Sequence, residues 1–233
     1  MAGRTSRPLL AALAVLGAAV LVVVGLLTGA ALARSSAPAA APDEASLDAG
    51  FARDMQVHHG QAVEMSVLVR DRSDDPDVRG LALDILLTQQ NQQGQMAGWL
   101  STWGLRQSSS LPAMAWMSPF GDGMAGMEGH STGGPSEADV AVPPGENPMV
   151  TMGLATREEM AALTAADGVE AERIYLQLMV EHHEGGIEMA SLAAEEASQP
   201  QVRRLAQGMV AGQSAEITRL TELLDARGGP LEG

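Results

Sequence analysis

The stretch Met55-Gln56-Val57-His58-His59 returns 124 residues later as Met179-Val180-Glu181-His182-His183, and each copy is followed by a Glu-Met pair, Glu64-Met65 and Glu188-Met189. Four of the five histidines of the chain lie in these two copies. The same offset holds outward without a gap. Phe51 falls on Tyr175, Pro76 on Pro200, Val78 on Val202, Leu81-Ala82 on Leu205-Ala206, Gln89 on Gln213, Leu100 on Leu224 and Gly104 on Gly228. A unit of about 55 residues with helical periodicity is one helical hairpin, and a repeat of this kind decides the architecture before any single motif does. One hairpin cannot bury its own apolar stripe. Two together make an all-α four-helix bundle with pseudo-twofold symmetry.

Helix boundaries follow from caps. The first helix is expected from about Glu44 to Asp71. Asp75-Pro76 restarts the chain, with Asp75 as cap and Pro76 in the first turn, and the second helix stops at Gly104. Asp167 with Glu170 has the spacing of a capping box for the third helix, which runs to about Ala197. Pro200 opens the fourth, which ends before Gly228-Gly229. The domain then occupies 44–228, as hairpin 1 (44–104), a Gly/Pro/Met-rich crossover (105–155) and a second part (156–228). In that last part Thr156-Arg157-Glu158-Glu159 caps a short helix ahead of hairpin 2.

At 100° per residue, Phe51, Met55, His58, His59, Ala62 and Met65 share one face of the first helix, and Glu64 lies opposite. Tyr175, Met179, His182, His183, Gly186 and Met189 repeat that face. The histidines therefore point into the core, where Gly186 leaves room beside them. The core stripe of the second helix, Val78 to Leu100, is interrupted by Gln89 and Gln92, and that of the fourth by Gln213 and Glu216. If the hairpins turn near residues 74 and 198, Gln89 is level with His59 and Gln213 with His183. A buried amide there satisfies a buried imidazole and fixes its second ring nitrogen. Two readings stay open. The layer binds a metal ion, or four imidazoles and two amides form a self-satisfied polar layer that sets register or responds to pH.

The crossover adds Met114-x-x-Met117, Met124-x-x-Met127 and Met149-x-x-Met152, with Trp116 and His130 nearby. Thioether sulfur suits Cu(I) or Ag(I) and discriminates against Mg, Ca and Zn. The same methionines also make ordinary core packing. The chain has no cysteine, so a soft-metal site must be built from Met and His.

Leu9 to Ala33 is a 25-residue stretch without a charge, preceded by Arg4 and Arg7. Roughly 20 apolar residues span a bilayer, and Ala31-Leu32-Ala33 also fits a cleavage site. Residues 1–34 are thus either an uncleaved membrane anchor or a signal peptide cut near Ala33, and 35–43 are a linker. Either way the domain lies outside the cytoplasm. There is no lysine. Beyond Arg4, Arg7 and Arg34, eleven arginines face 29 acids, a net charge of −18 that repels nucleic acid and attracts cations. Self-association stays open.

Enzymatic patterns are thin. A di-iron site needs inward carboxylates on both repeats, yet Val57 stands where the second copy has Glu181, and Gly60 where it has Glu184. No phosphate loop, nucleophile elbow or His-Glu-x-x-His is present. A non-catalytic protein is expected, with ferritin-like redox chemistry not excluded.

The run Gly153-Leu154-Ala155-Thr156, Glu159-Met160, Tyr175-Leu176 and Met179 through Ala190 resembles the bacterial domain-of-unknown-function family number 305, over about residues 47–228. That resemblance implies a small extracytoplasmic helical domain related to ferritin-like bundles. Some members are similar to periplasmic copper-binding proteins. By matching, copper ligands fall on Met55, His58, His59, Met65, Met179, His182, His183 and Met189. The expected function is Cu(I)/Ag(I) buffering, delivery or resistance, and the spacing of the crossover makes Met114, Met117, Met124, Met127, His130, Met149 and Met152 candidate accessory ligands.

Overall fold

The computed structural model describes residues 16–17, 20–29, 40–120 and 148–231. The chain divides into two units, Met1–Ala40 and Ala41–Gly233. Of the first, residues 16–17 and 20–29 are helical. The rest of the 9–33 stretch, including the expected cut, lies outside the described residues, and so do residues 35–39 of the linker. Among the described residues no helix is long and apolar enough to cross a membrane.

Among its described residues the regular elements of the second unit are all helices. Helix α1, Leu47–Arg72, starts at Ser46, whose hydroxyl accepts the Ala49 N–H at 3.2 Å. It begins three residues later than expected because Ser46 supplies the capping oxygen. Asp75 caps α2, Pro76–Thr102, by accepting from the N–H groups of Asp77 (2.9 Å) and Val78 (3.1 Å). Gly104 follows at φ 72, the left-handed conformation that ends a helix cheaply. In the crossover a 3-10 turn covers Ala115–Phe120 and a single turn, α3, covers Pro148–Thr151. The Thr156–Glu159 capping box opens α4, Arg157–Ala165. Helix α5, Gly168–Glu196, lacks its expected box: Asp167 makes no side-chain cap bond, and the entry is made by Gly168 at φ 56. Helix α6 covers Pro200–Asp225. Each hairpin packs within itself, α1 on α2 and α5 on α6, and the hairpins meet through α1 and α5.

Two buried acids tie the hairpins together, and the offset of 124 relates them. Asp48 accepts from the Ser198 N–H (3.0 Å), the Ser198 hydroxyl (2.7 Å) and the Gln199 N–H (2.8 Å). These groups form the corner between α5 and α6. Its counterpart Glu172 accepts from the Ser73 hydroxyl (2.6 Å) at the corner between α1 and α2, and from Arg227 (2.5 Å). Arg227 also pairs with Asp75 at 2.7 Å. Each hairpin thus has its corner capped by an acid near the start of the other's first helix.

The apolar core comes in two pieces. Phe51, Met55, Met96, Met189, Met209 and neighbours form one cluster, and Met65, Val69, Ile85, Tyr175, Met179, Leu220 and neighbours the other. Between their positions on the helices lie His58, His59, Gln89, His182, His183 and Gln213, all buried and polar.

Replacing Asp48 by Ala bares two amides and a hydroxyl at a buried corner. The expected loss is about 2–4 kcal/mol, read as a lower urea midpoint at unchanged slope, with Asp48→Asn losing less.

Candidate functional site

Helices α1 and α5 cross antiparallel, so that the Ser66 and Tyr175 hydroxyls meet at 3.2 Å and the His58 and His182 rings at 3.7 Å between centroids. His59 and His183 flank that central pair, at 6.3 Å from His58 and 6.2 Å from His182 respectively. All four side chains are fully buried. The four rings share one buried layer between the two apolar clusters. Among the described residues no three His, Asp or Glu side chains converge as a metal cluster.

Every ring is oriented through Nε2. His58 Nε2–H donates to the Met152 carbonyl (3.0 Å) and His182 Nε2–H to the His58 carbonyl (2.9 Å). His59 Nε2–H donates to Gln92 Oε1 (2.7 Å) and His183 Nε2–H to Glu216 Oε2 (2.7 Å). Carbonyl and carboxylate oxygens only accept, so each ring carries a proton on Nε2, and in the neutral ring the lone pair is then on Nδ1. Those four Nδ1 atoms are buried without a hydrogen-bond partner among the described residues, and both amide atoms of Gln89 and of Gln213 share that state. Each such group costs about 1–3 kcal/mol.

The partners of His59 and His183 are Gln92 and Glu216, one turn beyond the expected Gln89 and Gln213. The reason is the tilt of side chains toward the N-terminus of their own helix. In an antiparallel hairpin the two tilts are opposite, so the side chain that meets a ring leaning away from the corner starts further along the second helix. Gln213 instead fills the notch at Gly186, where an added Cβ would lie 2.6 Å from Gln213 Oε1 and 3.1 Å from His58 Cε1.

The end of the crossover is pinned against this layer. Gln61 clips the Ala155 backbone, donating to its carbonyl (2.8 Å) and accepting from its N–H (2.7 Å). Gly185 lets the Met152 carbonyl lie directly on α5, since a Cβ there would overlap it. These contacts present the Met152 carbonyl to His58. Gln61, a polar residue beside the core stripe, carried little signal, while Glu216 showed as a break in the stripe of the fourth helix at the position where the first repeat has Gln92.

Met55 and Met189 are fully buried in one apolar cluster, Met65 and Met179 in the other. The eight expected ligands are therefore placed as a layer of four imidazoles with two thioethers in the cluster on either side. Met114, Met117 and Met152 of the crossover are buried in the cluster of Met55 and Met189 as core residues. Met124, Met127 and His130 lie outside the described residues, as does the side chain of Met149.

Burial disfavours the charged form of His58, His59 and His182. It pushes His58 down to about 4 against the bond to Met152, and His59 down to about 3, with the neighbouring His58 adding to the effect. His182 is lowered well below its ordinary value by burial and by His58 and His183.

The profile of the domain of unknown function DUF305 matches residues 48–224. The chain belongs to the DUF305 family. Among solved structures, a candidate secreted DUF305 protein from Streptomyces coelicolor is 44% identical with a TM-score of 0.67, covering 82% of this chain and 99% of its own. A DUF305 fragment from Deinococcus radiodurans is 28% identical with a TM-score of 0.58, over 77% and 96% of the two chains. CopM in its Cu(I)-bound form is 20% identical with a TM-score of 0.52, over 78% and 98%. That last likeness bears on the fold. No curated protein matches.

The depressed histidines set a pH dependence. As pH falls, the unfolded chain takes up protons near 6.5 while the folded rings stay neutral. The stability they contribute is therefore whole above about pH 6.5 and is lost toward the folded values of about 4 for His58 and about 3 for His59. Each histidine adds a slope of about 1.4 kcal/mol per pH unit in that window. Urea unfolding followed across the window is expected to show this decline, with a shallower slope in His59→Leu.

Proposed function

We propose that this DUF305 protein binds a soft monovalent cation, Cu(I) or Ag(I), outside the cytoplasm, for buffering, delivery or resistance. The observation that carries the reading is the set of four buried Nδ1 lone pairs whose tautomers are locked by four separate acceptors. A ligating histidine usually has its other ring nitrogen fixed in this way, and burying four bare acceptors for packing alone is costly. His58, His59, His182 and His183 would hold the ion, with Met55, Met65, Met179 and Met189 supplying thioethers from either side. Soft d10 ions accept two or three nitrogen and sulfur donors, which a layer of rings can offer. Ions that demand four to six hard ligands are poorly served by it. Glu216 gives the layer one carboxylate, matched to a single positive charge. The acidic surface draws cations toward the domain. CopM, which shares the fold, has a Cu(I)-bound form. The neighbour from Streptomyces coelicolor and the apolar 9–33 stretch support export, with that stretch as anchor or cleaved signal.

A second reading treats the rings as a pH-responsive structural layer. It is favoured by the depressed histidine pKa values and the absence of a ready cluster of three ligands among the described residues.

Anaerobic competition against a chromogenic chelator separates the two. Replacing the four histidines by Ala is expected to weaken Cu(I) binding about a hundredfold or more, near 3 kcal/mol. Because a ligand that binds only the folded state raises its stability, Ag(I) is expected to raise the unfolding midpoint of the wild-type chain while Mg and Ca leave it in place. Unchanged affinity in the substituted protein, together with no Ag(I)-induced shift in the wild type, overturns the metal reading.

A further inference from the structure

The pseudo-twofold symmetry is broken repeatedly, and in one direction. The offset of 124 pairs Gly50 with Ile174, Asp54 with Leu178, Met96 with Leu220 and Met209 with Ile85. In all four pairs the aliphatic member lies in or against the cluster around Tyr175. The Gly, Asp or Met lies toward the cluster around Phe51. Leu and Ile pack the equivalent places at the Tyr175 end, so filling space does not demand thioethers at Met96 and Met209.

The same end carries a cover. Asp54 Oδ2 accepts from the Met114 N–H (2.7 Å) and from Trp116 Nε1–H (2.8 Å). The Trp116 ring sits on Gly50, where a Cβ would stand 2.5 Å from it, and meets Phe51 edge-on at 5.9 Å between centroids. Met114 is held at φ 64, the only positive φ outside glycine among the described residues and a conformation disfavoured for a residue with a side chain. One carboxylate oxygen therefore holds a strained segment in place. Leu178 offers no acceptor at the matching position of the other end.

The four rings are fully buried, so an ion must pass a cover of other side chains to reach them. We propose that the Phe51 end is the entry port for the soft monovalent cation. Met96 and Met209 act there with Met55 and Met189 as a thioether relay, and the Met114–Trp116 segment is a door latched by Asp54. The ion exchanges one dative thioether bond for the next and keeps its charge, so no electron or proton moves. This inference rests on the metal reading above.

The test uses the full chain and Ag(I) alone, with association followed by stopped flow. Asp54→Leu, which copies Leu178, is expected to speed Met114 amide exchange in the ion-free protein and to speed Ag(I) association and dissociation about tenfold each, so that equilibrium affinity holds. M96L/M209I, which copies the other end, is expected to slow association at least fivefold while the thermal midpoint holds. If the wild type takes up no Ag(I), the metal reading fails and the port falls with it. If the wild type binds and M96L/M209I associates at the wild-type rate, the relay is wrong and the histidine layer stands. Unchanged Met114 exchange in Asp54→Leu overturns the latch. Should Asp54→Leu fail to fold, Trp116→Ala, which removes the ring from Gly50 and keeps Asp54, is expected to speed association, and a wild-type rate in that variant overturns the door.

Discussion

Four hydrogen bonds from imidazole Nε2–H to acceptors that cannot donate back hold the centre of this bundle. Each comes from a different place: the crossover backbone, the α1 backbone, an amide on α2 and a carboxylate on α6. The set can therefore form only when both hairpins and the end of the crossover are in position. It interrupts the apolar core with a layer that apolar side chains would stabilise more cheaply, which is why a role beyond packing is the economical explanation for it.

The crossover is integral to this arrangement. Its last residues lie on α5 at Gly185 and present the Met152 carbonyl to His58, while Gln61 clamps Ala155 from α1. Gly153-Leu154-Ala155-Thr156, a run that stood out in the sequence, has a structural reason: it joins a close backbone crossing to a capped helix.

The repeat, the helix order, the inward histidines and the caps at Asp75 and Thr156 were legible because each depends on local spacing. Three things were not. The ring partners shifted by a turn because opposite side-chain tilts across an antiparallel hairpin are invisible to a level count. Asp48 and Glu172 look like ordinary acids near a helix start, and only the tertiary fold brings them to each other's corners. The crossover methionines have the spacing of a flexible ligand loop, yet Met114, Met117 and Met152 are core residues, because Asp54 and Gln61 anchor the backbone around them.

The reciprocal ties from Asp48 and Glu172 bear on how such a protein can diverge. Each hairpin's corner borrows its cap from the other, so the natural partner of one hairpin alone would be an identical copy. A homodimer built that way carries the same residues at both poles. Joining the copies in a single polypeptide lifts that restriction, and it is the fused chain that can give Trp116 a seat at Gly50 while Ile174 occupies the opposite pole.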